Sequence, residues 1–261
     1  IQVLFSEFLE YDPENPNWEA RDRFFLDPGH MAPMLYSQLC LAGKYSLQDL
    51  QTLRQWGSIV PGHPERDVEH GIENTSGPLG QGHTFAVGAA IAAKWFNTRF
   101  GAIHNPTIYA FISDGGIQEE ISQGAGRLAG HLGLNNLIMF YDSNNIQLST
   151  SCDAVTTEDV ARKYEAWDWF VQEIPGNDPD AIREALLKAK EEKQRPSLII
   201  GHTSMGKGCL TEEGTSFEGK CSTHGQPLSK SGASFAKTVQ GLGGNPDQPF
   251  TIFEDVAAMY A

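Results

Sequence analysis

Asp114 and Asn144 stand thirty residues apart, and each sits just past an apolar run. The first run is Thr107-Ile-Tyr-Ala-Phe-Ile112 and the second is Leu137-Ile-Met-Phe-Tyr141. Runs of this kind read as buried strands, which places both polar groups at a strand's carboxyl end. In open parallel sheets that end is where ligands bind. A carboxylate and an amide oxygen converging there suit a hard divalent cation. Gly115 and Gly116 follow Asp114 at a helix start. Bare backbone amides there can approach a phosphate, so cation and glycines together suit a diphosphate. Singly, these residues have plainer uses: an aspartate caps a helix, an asparagine closes a turn, and glycines form one.

The elements that must position these groups alternate between strand and helix. A helix over about 119–132 separates strands at 107–112 and 136–142. A helix at 157–165 follows, with Glu158 and Asp159 near its start as the helix dipole prefers. Residues 169–174, a helix at 179–192 and a strand at 197–203 continue the alternation. Upstream, a helix at 31–42 is stopped by Gly43, and Ser46-Leu-Gln-Asp49 opens another with a capping-box pattern. Residues 61–82 form a long Gly/Pro-rich stretch without periodicity, and such stretches are usually functional or disordered. The helix at 81–96 carries Val87, Ala90, Ile91 and Trp95 on one face. After 203 come a polar loop, a short helix around 231–240 and a last one at 253–260. This pattern predicts one α/β domain, a doubly wound and mostly parallel sheet with helices on both faces. Ile1 to Leu9 reads as the middle of a helix, so the domain is expected to lack its extreme N-terminus.

A chain of 261 residues can bury one good core. Its net charge of −14 argues against nucleic acid or an anionic membrane as partner. No apolar stretch long enough to span a bilayer and no signal peptide is visible. Cys40, Cys152, Cys209 and Cys221 are widely spaced, make no metal-like pair and read as reduced thiols of a cytoplasmic protein.

The segment from Asp114 to Asn144 resembles the thiamine diphosphate motif, and specifically its transketolase form. Further segments match that family in order: Asp27-Pro-Gly-His30, Pro61-Gly-His-Pro-Glu65, Thr75-Ser-Gly-Pro-Leu-Gly-Gln-Gly82, Ala125-Gly-Arg-Leu-Ala-Gly130, Lys163-Tyr-Glu-Ala166 and Thr223-His-Gly-Gln-Pro-Leu228. The similarity runs from about Asn15 to the end. The resemblance implies that Asp114 and Asn144 are side-chain ligands of Mg2+ or Ca2+, with the Ile146 carbonyl as third protein ligand. It implies that Gly77, Pro78 and Leu79 line the aminopyrimidine of thiamine diphosphate, with Gly115 at the diphosphate. His30 would contact the diphosphate, His63 the donor sugar hydroxyls, and His224 both cofactor and substrate. Histidines suit such work because they exchange protons near neutral pH. Glu119 matches a glutamate that links two active sites across a dimer, whereas Gln123 takes the next acidic position of that cluster. Ser113 replaces the motif's first glycine and is small enough to do so. His83 stands where the family more often has an aliphatic residue, and no role is assigned to it. Lys207 is either a cofactor or phosphate contact or a solvated loop residue. His70, His104, His131 and His202 read as structural or surface residues.

The implied reaction moves a two-carbon ketol unit from a ketose phosphate to an aldose phosphate, as in the pentose phosphate pathway. The pyrimidine-binding and C-terminal domains of that family match nothing in residues 1–261, a single diphosphate-binding domain. The expected partners are therefore sugar phosphates, a pyrimidine-binding domain or partner half, and a second copy in a homodimer. The chain alone is expected to be catalytically dead, which ketol transfer by the purified 261-residue chain would refute. Deoxyxylulose-phosphate synthase and dihydroxyacetone synthase share parts of the pattern. The alpha subunits of 2-oxoacid dehydrogenases are separate chains with different loops. An inactive binding module is the non-enzyme alternative.

Overall fold

The computed structural model describes residues 1–101 and 105–260, so the expectation for His104 lies outside the described residues. Five strands form one sheet: β1 (Arg23–Leu26), β2 (Ile108–Ser113), β3 (Leu137–Ser143), β4 (Phe170–Pro175) and β5 (Ser197–His202). Their order is β1-β2-β3-β5-β4, and every pairing is parallel. The helices are α1 (Ala32–Leu41), α2 (Leu47–Leu50), α3 (Gln81–Phe100), α4 (Asp114–Gln118), α5 (Glu120–His131), α6 (Val160–Ala166), α7 (Pro179–Glu191), α8 (Leu228–Ser231), α9 (Phe235–Gly241) and α10 (Glu254–Met259).

Alternating residues of each strand feed two separate cores. Phe24, Leu26, Tyr109, Phe111, Ile138 and Ile199 pack with α1 and α7. Phe25, Ile108, Ala110, Ile112, Met139 and Ile200 pack with α3, α5 and α6. Right-handed crossovers explain why α3, α5 and α6 share one face and α7 takes the other. Winding from β1 through β2 and β3 to β4 runs one way, whereas β4 to β5 turns back and needs its helix, α7, on the opposite face. The doubly wound, parallel α/β expectation is borne out, with strands buried on both faces as their apolar runs require.

Several local expectations need correction. Strand β1 escaped the sequence reading because only four residues long it shows no alternation. Its outer edge is satisfied by a side chain: Asn74 Oδ1 accepts from the Leu26 N–H at 3.1 Å, and Asn74 Nδ2 donates to the Leu26 carbonyl at 3.0 Å. Trp95 is 56% exposed and does not belong to the buried face of α3. That face is Gly82, His83, Ala86, Val87, Ala90 and Ala93, the side on which α3 packs against β2 and α5. The helix expected at about 119–132 is present as α5, but a short helix not expected from sequence, α4, precedes it from Asp114, the two parted at Glu119, whose ψ of 136° is extended. Helix α6 starts at Val160, not 157, because Asp159 accepts from the Arg162 N–H and caps it there. The stretch at 231–240 is two helices, α8 and α9, parted by Gly232 in a left-handed conformation. The stop at Gly43 and the Ser46–Asp49 capping box are both present.

His83 is wholly buried against the edge of Trp169, and neither ring nitrogen meets a protein partner. Burial pushes its pKa down to about 4. The folded chain therefore holds the ring neutral, while the unfolded chain protonates it near pH 6.5. The stabilising contribution is complete above pH 6.5 and is lost as pH falls toward 4, by about 3 kcal/mol. Unfolding free energy measured against pH should thus fall more steeply in the natural chain than in His83→Leu across that window. Parallel curves would show that the buried imidazole does not titrate with folding.

Candidate active site

The carboxyl ends of β2, β3 and β5 open into a cavity of about 670 Å³, a size usual for small-molecule and cofactor sites. Its wall includes His30, Leu79, Asp114, Gly115, Asn144, Ile146 and His224, so the tertiary structure brings these seven together. Asp114 follows the last residue of β2 and Asn144 the last of β3, side by side in the sheet through the Ser113–Asp142 pairing. Ser113, not Asp114, caps α4, its Oγ accepting from the Gly116 N–H at 3.4 Å. Asp114 is thereby free of the capping role, and its side chain turns toward β3. Its Oδ1 accepts from the Tyr141 hydroxyl at 2.5 Å and its Oδ2 from the Asn144 N–H at 3.1 Å. Asn144 does close a turn, because its Oδ1 accepts from the Ile146 N–H at 3.0 Å. Asn145 between them has φ of 61°, a left-handed conformation that asparagine tolerates.

Several glycines are fixed by contact. Gly29 touches the Gly77 loop so closely that a Cβ would lie 2.7 Å from the Gly77 nitrogen. A Cβ on Gly115 would lie 2.9 Å from Leu79 Cδ1, and one on Gly116 would collide with Asp27 Oδ2. Gly116 therefore has a packing reason that the sequence reading did not contain. Asp27 itself is buried at the end of β1, and its Oδ1 accepts from the His83 N–H at 3.3 Å, near the N-terminus of α3. That helix starts at Gly80, which offers no side-chain cap, so Asp27 supplies an acceptor from outside the helix.

His30 and His224 stack with ring centroids 5.0 Å apart. Burial, then the neighbouring His224, His63 and Arg54, push the His30 pKa down to about 4. Burial also lowers His224, against the pull of Asp114. Both rings are thus neutral near pH 7, and each can donate from one nitrogen and accept on the other. His224 Nδ1 is buried without a protein partner, which leaves a hydrogen-bonding position for a ligand. His63, Gly77 and Pro78 do not line the cavity. His63 lies against Gly77, with Nδ1 3.1 Å from where a Cβ there would stand. Lys207 is also outside the wall, 3.8 Å from Glu218 and well exposed. His70 pairs with Asp67 and stacks on Tyr45, His202 pairs with Glu173, and His131 is exposed.

Asp142, Thr203 and Arg54 line the cavity and were not singled out from sequence. Asp142 accepts a short hydrogen bond from the Thr203 hydroxyl, and burial raises its pKa. Its signal was present, two residues before Asn144 at the same strand end. Thr203 is the first residue past β5, where the strand-end rule applies equally. Arg54 has φ of 63° and no sequence signal. Among the described residues no three His, Cys, Asp or Glu side chains gather as a cation cage. One carboxylate and one amide make an oxygen set that ligand oxygens and water would complete, which fits Mg2+ or Ca2+ rather than a thiolate-seeking metal.

All four cysteines carry free thiols. Among the described residues no helix is long and apolar enough to cross a membrane.

Comparison with known proteins agrees with this geometry. The family model described as "Transketolase, thiamine diphosphate binding domain" matches residues 1–261. Transketolase 2 of Escherichia coli strain K12 is 40% identical over 261 residues, covering 98% of this chain and 38% of that protein. The transketolase of Geobacillus stearothermophilus is 41% identical over 241 residues, covering 90% of this chain and 35% of its own length. The crystal structure of transketolase from Campylobacter jejuni superposes with a TM-score of 0.91 at 38% identity, over 99% of this chain and 40% of that one. Transketolase from Leishmania mexicana gives 0.89 at 37% identity, again over 99% and 38%. The chain therefore spans well under half the length of these relatives. Matched from its first residue to its last, it belongs to the thiamine diphosphate binding domain family of transketolases.

Proposed function

We propose that the chain supplies the metal and diphosphate half of a transketolase active site, in a reaction that moves a ketol unit between sugar phosphates. The observation that carries this reading is the convergence of Asp114, Asn144, Ile146, His30, His224 and Leu79 on one cavity at the strand ends. When bound, thiamine diphosphate supplies the nucleophilic carbon and the electron sink for carbon–carbon cleavage. Asp114 and Asn144 hold Mg2+ or Ca2+ against the diphosphate, with the Ile146 carbonyl as third ligand. Gly115 gives the diphosphate access to backbone. Leu79 packs on the aminopyrimidine, with Gly77 and Pro78 shaping the loop behind it. His30 and His224, neutral and stacked, donate to phosphate or sugar oxygens and can exchange a proton there. His63 reaches the donor sugar's hydroxyls from beside Gly77.

A homodimer in the cytoplasm completes the reading. Trp95, Phe96 and Phe100 form an exposed aromatic cluster on α3, and Phe85, Ile121 and Leu128 are exposed nearby in the α3–α5 layer. Apolar surface of this extent usually meets a partner, here a second copy.

The test is a coupled ketol-transfer assay on the complete gene product. Xylulose 5-phosphate and ribose 5-phosphate are supplied with thiamine diphosphate and Mg2+, and the three-carbon product is followed. Formation of that product supports the reading. Absence of transfer, with carbon dioxide released from pyruvate and glyceraldehyde 3-phosphate, would move the assignment to deoxyxylulose-phosphate synthase.

A further inference from the structure

We propose that Tyr141 is a positioning residue for the cation site, its phenol holding the Asp114 carboxylate in the orientation that a divalent ion requires. The inference rests on the reading of Asp114 as a cation ligand and goes one residue deeper. Tyr141 lies in the central strand β3, paired with Ile112 of β2 on one side and Ile200 of β5 on the other. Its ring is buried in the core. The hydroxyl is thus held in place by two strand ladders and a packed ring. From there it donates to Asp114 Oδ1 at 2.5 Å, while the Asn144 N–H occupies Oδ2 at 3.1 Å.

A carboxylate has about four lone-pair positions. The two bonds occupy one on each oxygen, prevent rotation about the Cβ–Cγ bond and leave one on each oxygen for another partner. One donor lies in β3 and the other is the backbone of Asn144 itself, the residue that follows this strand. The phenol therefore sets the carboxylate of one strand end against the amide of the next, although they are thirty residues apart in sequence. Without it, the Asp114 side chain, carried on the five-residue helix α4, would have to be oriented by the ion itself. Outer partners of metal ligands typically change affinity by 10–100-fold when removed.

The variant Tyr141→Phe keeps the ring and deletes only the hydroxyl. In the complete gene product with thiamine diphosphate present, Mn2+ binding followed by electron paramagnetic resonance should weaken 10–100-fold. Excess Mn2+ should restore full occupancy of the cofactor. A purely structural role for the hydroxyl would instead lower the melting temperature and leave the Mn2+ titration unmoved, and that outcome would overturn the proposal. Asp114→Ala, titrated in parallel, separates the two levels. Lost Mn2+ binding in Asp114→Ala with unchanged binding in Tyr141→Phe would sink the positioning role alone. Unchanged binding in Asp114→Ala would remove the cation-ligand reading and this inference with it.

Discussion

Asp114→Ala is expected to abolish cation-dependent binding of thiamine diphosphate while leaving the ligand-free fold intact. Asp114 is 3% exposed, and its partners in the protein are neutral donors, the Tyr141 hydroxyl and the Asn144 N–H. Its removal relieves the desolvation of a buried carboxylate but leaves the Tyr141 hydroxyl and the Asn144 N–H without their acceptor, costing about 1–3 kcal/mol for each buried orphan, so the melting temperature without ligand should fall modestly while the fold persists. With Mg2+ and cofactor present the expected loss is larger. On the proposed reading the ion then loses the Asp114 carboxylate and stays partly desolvated beside the Asn144 amide. Breaking a buried charge pair costs about 3–5 kcal/mol, which is about two to three and a half powers of ten in affinity. Calorimetric titration of the cofactor at fixed Mg2+ measures this directly. Binding within twofold of the natural protein would show that Asp114 is not a ligand. Ketol transfer by the complete gene product should disappear in the same variant.

Gly130→Ala should be among the most damaging single-methyl additions to the fold. The residue sits on α5 with its missing side chain aimed at the Trp167 carbonyl, and a Cβ would overlap that oxygen. The neighbour is backbone, held by hydrogen bonds from Trp167 N–H to the Tyr164 carbonyl and from Trp169 Nε1 to the Gly126 carbonyl. It cannot swing aside as a side chain tip would. Overpacking of this severity costs at least about 3 kcal/mol, or roughly 6–12 °C in a domain of this size. Gly124, one and a half turns earlier on the same helix, is the internal control. A Cβ there meets nothing within 4 Å, so Gly124→Ala should stabilise by about 0.5–1 kcal/mol. Thermal melts of the two variants should move in opposite directions. Equal shifts would mean that helix propensity, not the Trp167 contact, governs both positions.

These two glycines show where reading the chain ran short. Both stand within or beside the segment that carries the family pattern, and as letters they are indistinguishable. Only the position of the Trp167 carbonyl separates an obligatory glycine from a replaceable one. Trp95 makes the same point from the other side. Helical spacing placed it with Val87 and Ala90, but spacing does not reveal how far around α3 the sheet and α5 reach, and Trp95 is left 56% exposed. Strand β1 was hidden because its four residues are too few to show a period, and the group that satisfies its outer edge, Asn74, lies forty-eight residues away from Leu26.

The sequence by itself determined the class of fold and which polar residues stand at its strand ends. Apolar runs too continuous for a half-exposed sheet required strands covered on both faces. Their alternation with helices required parallel order. Polar residues immediately after those runs had to fall at the strand ends, because chain connectivity places them there whatever the packing. Tertiary structure decided everything that depends on the distance between segments remote in sequence. It brought His30 against His224, left His63 behind the Gly77 loop, and buried His83 beside Trp169. It also turned Asp114 away from helix capping and onto the hydroxyl of Tyr141. A residue's type and local spacing are written in the chain, but which oxygen meets which hydrogen across adjacent strands is settled only when the sheet closes.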